Sequence, residues 1–133
     1  YVNSVLAHQD ALDAGYDDCI FLDQSGHVCE LAAANIFMVR GGRLITPDTS
    51  SDLLEGINRR AILELAEAAG IPTQERTVDL TELYIADEVF VCGTSAFVAS
   101  VAEIDGRHLS KDNPITKKIA ALHGELLKNG DSL

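Results

Sequence analysis

The sequence predicts a single mixed α/β domain, on three observations. Short β-rich runs bounded by Gly, Asn and Asp are interspersed with stretches of helical period. The clearest helical period, Ile62, Leu63, Leu65, Ala66 and Ala69, stops at Gly70 with Pro72 just beyond. At 133 residues and 47% apolar composition the chain fits one domain that can bury roughly two-thirds of its unfolded surface.

Taken in order, Val2, Val5, Leu6, Ala11 and Leu12 have helical spacing, which predicts a first helix from Val2 to Ala14 ending near Gly15. Cys19 to Leu22 reads as a buried strand, Gln24-Ser25-Gly26 as a turn, and His27 to Leu31 as the returning strand. Asn35 to Arg40 and Arg43 to Thr46 form the next pair. Gly41-Gly42 between them suits the positive φ angles of a tight hairpin. The first half is therefore expected to be one helix followed by a four-strand antiparallel meander.

A polar loop from Thr46 to Gly56 leads to a helix over Arg59 to Ala69. Strands are predicted at Gln74 to Val78, Glu88 to Cys92 and Val98 to Ile104. Asp105-Gly106 turns the last of these, and a short helix runs from Thr81 to Ala86. Pro114, suited to a first helical turn, opens a final helix through Leu127.

The formal charge of -11, with no run of basic residues longer than two, argues against a nucleic-acid partner or an anionic membrane surface. No apolar stretch approaches the length of a membrane span. Cys19, Cys29 and Cys92 are odd in number and scattered through apolar runs, which suits buried reduced thiols in a cytoplasmic protein. The histidines His8, His27, His108 and His123 lack ligand-like spacing, so no metal site is expected. His8 and His123 read as solvent-facing. Tyr1 stands where an initiator Met would, so a domain of a longer polypeptide is expected.

Glu30 lies between a β-rich run and four small or apolar positions. In such company a carboxylate must be paired, protonated or solvent-facing. Gly56-Ile57-Asn58 stands just ahead of the predicted helix at Arg59, where free amides and the helix dipole favour an anion. Gly93-Thr94-Ser95-Ala96 ends a strand with small residues, so that backbone amides can approach a ligand closely.

Three stretches read together resemble the large domain of the class IV aminotransferases, the fold-type IV enzymes that use pyridoxal phosphate. They are GHVCELAAANIFMV, then LLEGINRRAILELAEAAGI with ERTVDLTELYIADEVF, and then VCGTSAF with VAEIDGR. The resemblance covers nearly the whole chain. It implies the D-amino acid aminotransferase-like fold, a mostly antiparallel mixed sheet or pseudo-barrel with surrounding helices. Residues 1–133 would then be the cofactor-binding large domain of a longer enzyme.

By this resemblance Glu30 holds the cofactor's ring nitrogen in its protonated state, Tyr1 bonds the ring oxygen, and Leu54 packs on the ring face. Gly56, Ile57, Asn58 and Thr94 hold the phosphate. Asn58 replaces the usual Thr or Ser of the motif L-x-G-[IV]-[TS]-R, and its amide can still cap a helix. Thr94, Ser95 and Ala33 face the substrate. The family's Schiff-base lysine would lie ahead of Tyr1, as would its small N-terminal domain. The four lysines present, Lys111, Lys117, Lys118 and Lys128, lie in the polar C-terminal part, so no catalytic residue is expected in this chain and it should not transaminate by itself.

TELYIADEVFVCGT is most similar to the branched-chain amino acid aminotransferases, which implies amino acid and 2-oxo acid substrates and a homodimer. D-amino acid aminotransferase and aminodeoxychorismate lyase share the scaffold, and ELAAAN leans toward the lyase. A non-catalytic binding or assembly domain on the same scaffold is the alternative outside enzymes.

Overall fold

A computed structural model describes residues 2–9, 14–22, 27–31, 34–47, 53–93, 98–104, 107–109 and 112–128. Its strands are β1 (Val2–Gln9), β2 (Ala14–Leu22), β3 (His27–Leu31), β4 (Ala34–Arg40), β5 (Arg43–Thr46), β6 (Thr73–Glu75), β7 (Val78–Asp79), β8 (Glu88–Gly93), β9 (Val98–Ile104) and β10 (Arg107–His108). Three helices, α1 (Leu53–Ala68), α2 (Leu80–Tyr84) and α3 (Pro114–Lys128), complete the described elements. The strands form one sheet in the order β6-β5-β4-β8-β9-β1-β2-β3-β7, with β10 beside β9. Every pairing among them is antiparallel except β5 with β6.

The sheet curls into a pseudo-barrel. β6 and β7 stand at opposite ends of the strand order yet are separated by only Arg76 and Thr77, and β3 also packs against β4. The single strand expected over Gln74 to Val78 is thus two short strands that pair with different partners, β5 and β3. The expected meander likewise divides into two hairpins, because β4 takes β8 rather than β3 as its ladder partner.

The helix expected over Val2 to Ala14 is corrected outright. Val2–Gln9 is a strand paired on both edges, with β2 from Val2↔Phe21 to Gln9↔Ala14 and with β9 from Val5↔Ile104 to His8↔Ser100. The helical spacing of Val2, Val5 and Leu6, the part of the pattern that falls in β1, is outweighed by two ladders of backbone hydrogen bonds, and β-branched Val2 and Val5 suit an extended chain. Gln24 to Gly26 and Asp105-Gly106, expected as turns, lie outside the described residues.

The β4–β5 hairpin is as expected. Gly41 and Gly42 have φ of 57° and 77°, and Arg40 pairs with Arg43. Both faces of β4 are covered, which explains its continuous apolar run. Phe37 and Val39 point to a core shared with Ile62, Leu63 and Ala66 of α1 and Ile119 of α3. Ile36 and Met38 join Val89, Val91, Val101 and Ile104 in a second core on the other face. Phe37 stacks on its ladder partner Phe90, with ring centroids 4.8 Å apart. Helix α1 ends in a Schellman motif: the Ile71 amide donates to the Ala66 carbonyl, the Gly70 amide to the Glu67 carbonyl, and Gly70 has φ of 80°.

Candidate functional site

Strand register brings the three chemistry-bearing stretches to one end of the sheet. β8 runs antiparallel to β4, so Gly93, the residue before Thr94, pairs with Ala34. Glu30 lies near the end of β3, which is joined to Ala34 by two residues. β5 also runs antiparallel to β4, so its last residues return toward the Ala34 end. The Thr46 hydroxyl donates to the Ile36 carbonyl at 2.7 Å, deep in the fold. From Pro47 the chain passes to the start of α1, which packs on β4 and β8.

The start of α1 corrects the sequence reading. The helix begins at Leu53, six positions before Arg59, so Gly56-Ile57-Asn58 falls within its first turns and Asn58 is not its cap. The amides without an intrahelical acceptor are then those around Leu53 to Glu55. A helix of 16 residues favours starting early, because each added residue gains a hydrogen bond once the first turn is closed. Asn58 is buried at 1% exposure, whereas Ile57 is exposed.

Of the other residues singled out, Glu30 and Leu54 are placed by their backbone, in β3 opposite Phe21 and in the first turn of α1. Tyr1, Ala33, Thr94 and Ser95 lie outside the described residues.

A residue not singled out from the sequence joins this end of the sheet. Arg59 Nη1 donates to the Pro47 carbonyl at 3.2 Å and to Glu75 Oε2 at 3.1 Å. Its place after Asn58 in the motif was the available signal.

Cys92, beside Gly93, is fully buried, and burial pushes its thiol up to about 12, so it is not a nucleophile at neutral pH. His123, expected in solvent, is 1% exposed, and desolvation lowers its pKa. It lies on the side of α3 that packs into the fold, a placement that only the helix-on-sheet packing decides. Lys117 and Lys118 are exposed on α3. Among the described residues no three His, Cys, Asp or Glu side chains converge as metal ligands, and no helix is long and apolar enough to cross a membrane. A cleft of about 500 Å³ lined by Val39, Asp87, Glu88, Asn113 and Ile115 opens at the opposite end of β4 from Ala34.

The start of α1 has room for an anionic group. Gly56 has no positive φ, and a Cβ built on it would meet nothing within 4 Å. Nothing in the packing of the described residues therefore requires glycine there, although glycine inside a helix costs about 0.5–1 kcal/mol relative to alanine. Its absent side chain leaves α1 open to close approach near the positive end of the helix dipole.

The family model for "Amino-transferase class IV" matches residues 1–104. A probable branched-chain-amino-acid aminotransferase of Synechocystis sp. is 43% identical over 129 residues, 97% of this chain and 42% of that protein. The branched-chain aminotransferase of Thermoproteus uzoniensis, solved with norvaline, is 42% identical with a TM-score of 0.74, over 85% of this chain and 37% of that one. The branched-chain amino acid aminotransferase of Thermobaculum terrenum in its PLP form is 39% identical with a TM-score of 0.76, over 88% of this chain and 39% of that one. The chain spans about two-fifths of the length of these relatives. With the family model covering 104 of its 133 residues, and with relatives of matching fold at about 40% identity, this chain belongs to the class IV aminotransferases.

Proposed function

We propose that this chain is the cofactor-binding part of a longer, cytoplasmic, homodimeric enzyme that moves an amino group between a branched-chain amino acid and 2-oxoglutarate with pyridoxal phosphate. The observation that carries this reading is the register Ala34↔Gly93 inside the family-matched span, which brings the ends of β3 and β8 and the start of α1 to one end of the sheet. When bound, the cofactor's protonated ring accepts the electron pair left at the substrate α-carbon.

Glu30 keeps the ring nitrogen protonated by placing a carboxylate against it. The free amides at the amino end of α1, around Leu53 to Glu55, hold the phosphate together with Thr94, and Gly56, Ile57 and Asn58 stand beside it in the following turn. Leu54 packs on the ring face and Tyr1 bonds its oxygen. The amides of Thr94 and Ser95 face the substrate carboxylate, and Ala33 lies in the substrate site. The lysine that holds the cofactor and moves the α-proton belongs to the part of the enzyme ahead of Tyr1, and so does the smaller domain that completes the substrate pocket.

The test is Glu30→Gln in the full-length protein, following exchange of the leucine α-proton with solvent. Exchange should slow about a hundredfold, the scale of losing one preorganised electrostatic partner. Exchange at the parent rate would remove Glu30 from its role, and failure of the parent protein to exchange leucine at all would overturn the reading as a whole.

A further inference from the structure

We infer that Arg59 is a positioning residue for the phosphate-binding end of α1, acting through Pro47 and Glu75; this rests on the function proposed above. Pro47 and Arg59 flank the connection from β5 into the first turns of α1. One guanidinium group spans that connection, since Arg59 Nη1 donates to the Pro47 carbonyl at 3.2 Å and to Glu75 Oε2 at 3.1 Å. Glu75 is the last residue of β6 and pairs in register with Thr46 of β5. The Arg76 amide next to it donates to the Thr46 carbonyl at 3.1 Å. The acceptors are therefore anchored in the sheet, and what Arg59 holds in place is the helix.

Two features set this arginine apart from its neighbour. The Arg59 side chain is 15% exposed, whereas Arg60, which approaches the other Glu75 oxygen at 3.7 Å, is 61% exposed and its pairing is screened by water. Arg59 Nε is also buried with no acceptor among the described residues. An unmet buried donor is unfavourable, so the guanidinium is held where it is by Pro47 and Glu75 rather than by saturation of its own hydrogen bonds. Arg59 is three residues on from Gly56, nearly one turn, so a shift of its anchor moves the turn that approaches the phosphate. The two N–H bonds of the planar Nη1 point in fixed directions at the carbonyl and the carboxylate, whereas an ammonium group on a flexible stem holds the same two acceptors less rigidly.

The experiment uses the full-length protein, stripped of cofactor, and titrates it with pyridoxal phosphate and, separately, with pyridoxal. Arg59→Lys and Glu75→Gln should each weaken pyridoxal phosphate binding about tenfold, the size of one impaired hydrogen bond to an anion, and leave pyridoxal binding unchanged. A variant that loses affinity for both ligands equally, or for neither, would overturn the positioning role while leaving the function standing. A parent protein that shows no preference for the phosphorylated ligand would overturn both. Glu75→Gln acts from the sheet side, so the inference stays testable if Arg59→Lys does not fold.

Discussion

The carboxylate of Glu88, at the start of β8, accepts the backbone N–H of Thr116 at 2.7 Å and that of Ile115 at 3.2 Å. The first turn of α3 is thus capped by a strand 28 residues earlier in the chain. Glu88 is 3% exposed, and the Thr116 bond is buried while the Ile115 bond is partly so, at the end of the helix where the dipole favours a negative charge. Glu88→Ala should destabilise the protein by about 2 kcal/mol, because two amides lose their buried acceptor. Glu88→Gln, with one acceptor oxygen, should lose about half of that. Urea denaturation measures both, and equal stability of all three proteins would refute the cap.

Gly56→Ala separates a binding role from a structural one. The added Cβ meets nothing within 4 Å, so the variant should gain about 0.5–1 kcal/mol in stability. The same methyl should obstruct an approaching phosphate and weaken pyridoxal phosphate binding in the full-length protein. A stabilised variant with unaltered binding would show that no ligand approaches α1 at this point.

His123 makes stability depend on pH. Burial lowers its folded pKa, and it titrates near 6.5 in the unfolded chain. The unfolded state therefore takes up a proton first, so the stability is fully present above about 6.5 and is lost as pH falls from there toward the folded pKa. His123 Nε2 is buried without a partner among the described residues, so His123→Leu removes no hydrogen bond to them at that nitrogen. Melting temperatures between pH 7.5 and 5.5 should fall less steeply in the variant, and parallel curves would contradict this assignment.

Cys92 should be inert in the folded protein. With its thiol pushed up to about 12 and its side chain buried, iodoacetamide at pH 8 should leave it unmodified until denaturant is added. Peptide mapping by mass spectrometry reads this out, and modification under native conditions would contradict the burial.

Some of this structure was legible in local sequence because local chemistry decides it. The Gly41-Gly42 hairpin follows from two residues that accept positive φ, and the body and end of α1 from its apolar period and Gly70. Glu30, Gly56-Ile57-Asn58 and Thr94 could be named from residue type and motif order. That the strands β4 and β8 bring Ala34 and Gly93 together could not, because it depends on a register between residues 59 positions apart.

Tertiary structure made β1 a strand, since besides its hairpin with the next strand, β2, it is paired along its other edge with the distant β9, and the two ladders override a helical spacing. The same holds for the division of Gln74 to Val78 between β5 and β3, for the burial of His123, and for the Arg59 clamp. Residue type and period determined which residues are suited to a turn, a helix or an anion. Which of them meet was decided by backbone pairing and packing over long sequence separations, where the free energy depends on the partner as much as on the residue.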